Sequence, residues 1–81
     1  MSKAELIDRI NELHSTDMGL LRISKNLNLK INDVVEYCKS LILKASANIE
    51  RKGKNWYITV DGVIITVNAF TFTIITAHKV N

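Results

Sequence analysis

The chain has 81 residues, 47% of them hydrophobic, and a formal net charge of +3. That length fits one domain over residues 1–81, and the apolar content excludes a disordered chain. The mild positive balance permits a nucleic-acid partner without demanding one.

No apolar run approaches the roughly 18 residues that a membrane span needs. The segment Met1-Ser2-Lys3-Ala4-Glu5 carries an acid and a helical pattern rather than an apolar signal segment. A single cysteine, Cys38, excludes an internal disulfide framework and suits a reducing compartment, so a cytoplasmic protein is expected. A chain this short buries only about 60% of its unfolded surface, and a homodimer is compatible with that.

Residues 3–14 predict a first helix, because Leu6, Ile7, Ile10 and Leu13 form one apolar stripe. Ser2 and Glu5 have the spacing of a capping box, and Glu5 and Arg9 the spacing of an ion pair. Ser15-Thr16-Asp17 offers caps for a second helix over residues 18–27. Leu20, Leu21, Ile23 and Leu27 are expected to face inward there. Asn28 to Ile31 reads as a turn. Asn32 or Asp33 then caps a third helix through about Lys44, with Val34, Val35, Cys38, Leu41 and Ile42 as its stripe.

After Ala45 the hydrophobic period changes from 3.6 to 2. The helical half is therefore 1–45 and the β half 46–81. The predicted class is α+β: about three N-terminal helices, then a four-stranded antiparallel β-meander. Residues 47–51 read as a first strand and Lys52-Gly53 as a turn. Asp61-Gly62 is a strong hairpin signal. It predicts that Val60 faces Val63, Ile58 faces Ile65 and Trp56 faces Val67. Those six share one face; Asn55, Tyr57, Thr59, Thr66 and Asn68 share the other, with Ile64 the apolar exception.

The last strand, residues 72–79, has two possible registers, and a slip of one residue reverses every side chain. A loop of Ala69 to Thr71 pairs Asn68 with Phe72 and puts Ile74, Thr76 and His78 on the polar face. A loop of Ala69-Phe70 buries them instead. Burying Thr76 and His78 without partners is costly, which favours the first register. That register leaves Phe72 and Ile74 partly exposed.

Two histidines and one cysteine do not supply the ligands of a zinc site, and no glycine-rich phosphate loop is present. No metal and no cofactor is therefore expected. What remains is a basic and polar set in the β half: Arg51, Lys52, Lys54, Asn55, Tyr57, Asn68 and Lys79 as nucleic-acid contacts, with Thr76 and His78 as catalytic candidates. Metal-independent RNA cleavage needs a base for the 2′-hydroxyl, cations for the phosphorane and a donor for the leaving oxygen. His78 suits the base or acid, and Arg51, Lys52 and Lys54 suit the phosphate. Tyr57, Trp56 or Phe72 could stack a base. Each has a structural alternative: a solvated hairpin tip for Arg51-Lys52-Gly53-Lys54, a core anchor for Trp56, and an exposed bystander for His78.

Several stretches resemble a family of short bacterial and phage proteins of unknown function. They are Leu13-His14-Ser15-Thr16, Asp33 to Lys39, Asn48 to Tyr57, Ile65-Thr66-Val67-Asn68-Ala69 and Thr73 to Lys79. That resemblance spans nearly the whole chain and implies no activity. The topology and Ile75-Thr76-Ala77-His78 also resemble the barnase/EndoU/RelE-like ribonuclease superfamily, which implies a site role for Thr76. No upstream histidine takes that group's usual catalytic position, since His14 lies too early.

The sequence reading is therefore an RNA-directed protein, either a metal-independent endoribonuclease or an RNA binder, using the polar sheet face. One alternative is a protein-interaction module such as a phage-encoded inhibitor of a host system; a protein partner of the chain would be an antitoxin or a host target. Another is a winged helix-turn-helix that places helix three in DNA. No membrane partner is expected.

Overall fold

A computed structural model describes residues 2–28 and 33–80, with side chains described from Glu5 onward. Its sheet is built outward from the Asp61-Gly62 turn. Asp61 has φ 50° and Gly62 φ 74°, the two left-handed residues that a twisted two-residue hairpin requires. That turn joins β2 (Asn55–Val60) to β3 (Val63–Asn68) with Val60 opposite Val63, Ile58 opposite Ile65 and Trp56 opposite Val67. All six are buried, as the alternation predicts.

A second two-residue turn joins β1 (Asn48–Lys52) to β2. Its central residues are Gly53 and Lys54, one position later than the sequence suggests. Gly53 takes φ 59°, which a side chain would strain.

The fourth strand, β4 (Ile74–Lys79), completes an antiparallel sheet in the order β1-β2-β3-β4. Neither expected register describes it. Ile74 pairs with Val67 and Thr76 with Thr66, so Ile75 is an extra residue, a β-bulge. The bulge changes the phase of the alternation within one strand. Ile74 and Ala77 are buried, while Thr76 and His78 lie on the polar face. Thr76 and His78 are therefore placed as predicted, and Ile74 and Phe72 are not. Phe72 is buried, its ring edge-on to Trp56 with centroids 5.2 Å apart. The sheet thus satisfies both the apolar and the polar side chains, which no unbulged register can do.

Three helices precede the sheet. The first, α1 (Ser2–Asp8), is shorter than predicted: the chain tightens into a 3-10 turn over Ile10–Glu12 and then extends at Leu13. The break delivers His14 alongside β4, where His14 N–H donates to the Phe72 carbonyl at 3.2 Å and Ile74 N–H to the His14 carbonyl at 2.8 Å. Arg9 binds Glu12 through two hydrogen bonds of 2.8 Å and lies 3.6 Å from Glu5. The predicted Ser2 cap falls outside the described side chains.

The second helix, α2 (Asp17–Leu27), is capped by Thr16, whose Oγ1 accepts the Gly19 N–H at 3.0 Å. A Cβ at Gly19 would run into Ser15 Oγ and meet Thr16 Oγ1 at 3.1 Å, so a larger residue there would displace the Ser15 hydroxyl. Ile23 and Leu27 are buried. Leu21 is 69% exposed, against expectation, because adjacent Leu20 and Leu21 point about 100° apart on a helix. Asn28, with φ 54°, ends the helix in the left-handed region. The rest of the predicted turn, including Ile31, and the Asn32 alternative for the next cap lie outside the described residues.

The third helix, α3 (Val34–Ile42), is capped by Asp33, whose Oδ1 accepts the Glu36 N–H at 2.9 Å. Val34, Cys38, Leu41 and Ile42 are buried on its inner face. All three helices share one hydrophobic core with the Trp56 face of the sheet. Among the described residues, none of the helices is long and apolar enough to cross a membrane.

Candidate nucleic-acid interface

Strand alternation and register sort the site residues without ambiguity. Three rows cross the face turned away from the helices. Lys52, Asn55 and Asn68 form one; Glu50, Tyr57, Thr66 and Thr76 form the next; Asn48, Thr59, Ile64 and His78 form the third. Tyr57 is half-buried at the centre, and Thr66 is buried beside it. Asn55 Nδ2 donates to the Tyr57 hydroxyl at 3.4 Å, while Asn55 Oδ1 is buried without a partner.

Arg51 and Lys79 do not belong to this face. Arg51 pairs with Trp56 and Lys79 with Val63, both on the helix side, so the period of two carries their side chains there. Arg51 remains relevant, because it rims the same end of the sheet. Its Nε donates to the Gly53 carbonyl at 2.8 Å, and its guanidinium carbon lies 5.7 Å from the Trp56 ring centroid and 5.5 Å from that of Phe70. Those distances suit cation–π attraction.

The corner that Arg51 closes is built by two loops. Ala69 N–H donates to the Lys54 carbonyl at 2.8 Å, joining the β1–β2 turn to the loop before β4. Asn68 Oδ1 accepts both the Phe70 and the Thr71 N–H, at 2.9 and 3.0 Å. Asn68 therefore shapes a loop, and its acceptor oxygen is already engaged. The loop holds Phe70 outward, 72% exposed, while Phe72 turns inward with φ 59°. Arg51, Lys52, Lys54 and Phe70 thus gather at one end of the sheet. The sequence pattern does not assign Phe70 to this site. The Phe70-Thr71-Phe72 spacing is compatible with two buried or two exposed rings, and only the left-handed turn separates them.

His78 is remote from that corner. It lies two rows away, roughly 13 Å along the strands and about 14 Å across them from Lys52. Thr76, on the intervening row, is half-buried opposite Thr66. A general base and phosphate-holding cations must meet within hydrogen-bond reach of one phosphodiester; His78 and the lysines do not.

His14 has a different task. A carbonyl can only accept, so Nδ1 donates to the Glu12 carbonyl at 3.0 Å. Nε2 forms a second hydrogen bond with the Thr73 hydroxyl at 3.1 Å. Cys38 is fully buried, and burial pushes its thiol up to about 11, which removes it as a nucleophile near neutral pH.

This three-helix, four-stranded α+β arrangement belongs to a family whose description states no activity. The family profile for a protein of unknown function (DUF3781) matches residues 7–78, and the chain is a member of that family. No curated protein and no solved structure matches the chain, so the ribonuclease resemblance rests on topology and Ile75-Thr76-Ala77-His78 alone.

Proposed function

We propose that this protein binds single-stranded RNA along the open sheet face, entered at the corner formed by Arg51, Lys52, Lys54 and Phe70. The observation that carries the reading is the exposed Phe70 ring, with the Arg51 guanidinium carbon 5.5 Å from its centroid, at the end of the sheet that also carries Lys52 and Lys54. Exposed aromatic rings stack unpaired bases, and cations hold the backbone beside them. The half-buried Tyr57 and Thr76 continue the path with hydroxyls suited to 2′-hydroxyls. Glu50, at the β1 margin, repels phosphate and directs the strand towards β3 and β4.

Binding is favoured over cleavage because His78 stands two rows from the cations. A winged-helix reading is disfavoured by α3. Its outer side carries Asp33 and Glu36, and Lys39 lies 3.5 Å from Glu36 rather than free for phosphate.

The test is fluorescence anisotropy with labelled single-stranded and duplex RNA over a range of salt. Wild type is expected to prefer the single strand. Lys52→Ala with Lys54→Ala lowers the salt slope by about one for each phosphate no longer neutralised, and Phe70→Ala weakens binding with the fold intact. RNA incubated with the protein and EDTA is expected to stay whole; cleavage that vanishes in His78→Ala would replace binding with catalysis. No affinity for single strands at low salt refutes the proposal.

A further inference from the structure

Helix α2 has a second stripe that the core does not use. Ile23, Leu27 and Gly19 face the sheet, while Met18, Leu21, Arg22 and Lys25, with Asn26 (whose Nδ2 reaches the Ala77 carbonyl of β4), line an open groove of about 390 Å³. Their spacings of three and four residues make them neighbours on one helical face. Met18 is 71% exposed and Leu21 69%, side by side at the first part of the groove. Arg22 and Lys25 follow on the next turn.

Those two cations are unusual for this molecule. The other cations of the helical half whose side chains are described each face a carboxylate: Arg9 faces Glu5 and Glu12, Lys39 faces Glu36, and Lys44 faces Asp61. Arg22 and Lys25 have no ion pair among the described residues, and like charges three apart on a helix repel. A helix that leaves two apolar side chains in water, with two uncompensated cations beside them, is complementary to something carrying the opposite pattern.

We infer that this groove docks a helical segment of another protein that has apolar anchors about one turn apart and carboxylates beside them. The apolar anchors cover Met18 and Leu21, and the carboxylates meet Arg22 and Lys25, the helix-in-groove mode of recognition. Nucleic acid suits the groove poorly, because neither Met18 nor Leu21 can stack a base as an aromatic ring does. A second copy of the chain suits it poorly as well. Glu5, Glu12 and Glu36 of another copy are already paired to Arg9 and Lys39, and a head-to-tail contact does not close into a dimer. The inference does not depend on RNA binding, since the groove lies on α2 and the proposed RNA path on the far face of the sheet.

The experiment uses the full chain, isotopically labelled, and two capped amphipathic peptides with the same leucine stripe. One carries glutamate on its polar side and the other lysine. Amide chemical shifts are followed on titration with each. The glutamate peptide is expected to bind, with shifts confined to α2 and its neighbours, and about tenfold or more tightly than the lysine peptide. Arg22→Glu with Lys25→Glu reverses the preference, and Met18→Ser with Leu21→Ser abolishes binding of both peptides. All four positions are exposed or at the surface, and an unchanged amide spectrum away from α2 verifies the fold. Equal binding of the two peptides, binding that survives Met18→Ser with Leu21→Ser, or shifts on α2 caused by RNA or by raising the protein concentration alone would overturn the inference.

Discussion

Replacing Phe72 separates two physical effects at one residue. The ring is 1% exposed, 5.2 Å from the Trp56 ring and 4.3 Å below the Arg9 guanidinium, so Phe72→Ala removes a large buried group. Such deletions cost about 3–5 kcal/mol. At about 0.05–0.15 kcal/mol per residue, a chain of this length has roughly 4–12 kcal/mol in total, so the loss is a large share of it. The backbone at Phe72 has φ 59°, however, a conformation that costs an L-residue about 1–2 kcal/mol and glycine almost nothing. Phe72→Gly removes the same ring but relieves that strain, which offsets glycine's extra chain entropy of about 0.5–1 kcal/mol. Phe72→Gly is therefore expected to equal or exceed Phe72→Ala in stability, by up to about 1.5 kcal/mol. Ile74, equally buried but in a strand, is the control: Ile74→Gly should be the weaker of its pair. Urea denaturation followed by fluorescence of the single, buried Trp56 measures all four, with sucrose added to keep the variants folded. If Phe72→Gly proves clearly less stable than Phe72→Ala, the left-handed turn and the outward placing of Phe70 are both wrong.

Three further outcomes are expected. With its thiol held at about 11, roughly one Cys38 in a thousand is ionised at pH 8, so alkylation in the native protein should be very slow and become fast in denaturant. Arg9 holds the Glu12 carboxyl below its usual value near 4.5 through their hydrogen bonds, so the stability from this pair is present above that pH and fades as pH falls through the lowered value. Glu12→Gln should flatten that part of the stability–pH curve; an unchanged curve refutes the linkage. Asn68→Ala should cost about 1–2 kcal/mol, because the Phe70 and Thr71 N–H groups lose their acceptor, whereas Asn68→Asp should cost little. Equal destabilisation by both, measured by thermal melting, would assign the side chain another role.

Local chemistry makes much of the fold readable. Asp61-Gly62 fixes one turn geometry, and the alternation of Trp56, Ile58 and Val60 with polar neighbours fixes which face is buried. Thr16 and Asp33 reveal the starts of two helices for the same reason: each cap is an interaction three residues long. What the sequence hides depends on interactions between distant parts of the chain. A bulge at Ile75 leaves no pattern of its own, because it is a phase change within a strand and resembles a choice of register. The break at Arg9 interrupts an apolar stripe that remains helical in period, and the contacts that follow it join His14 to Phe72, Thr73 and Ile74, far along the chain. Leu21 escapes the pattern because a stripe of leucines does not reveal which of two adjacent ones turns outward. The cationic corner is legible as composition, in Arg51-Lys52-Gly53-Lys54, but its aromatic partner and the remoteness of His78 require the sheet register.

The covering of β4 also limits how copies of this protein can associate. A meander has two lateral margins able to recruit a further strand. Here the β4 margin is occupied: His14 hydrogen-bonds along it, Ser15 Oγ donates to the Ile74 carbonyl at 2.9 Å, and Asn26 Nδ2 donates to the Ala77 carbonyl at 3.3 Å. Only β1 remains, and its Glu50-Arg51-Lys52 end places charge where another strand would have to lie. With one available margin, sheet extension stops at a pair, and growth into a fibre first requires the clasp from His14 to α2 to open. The short segment after α1 thus protects the protein from polymerising through its own sheet.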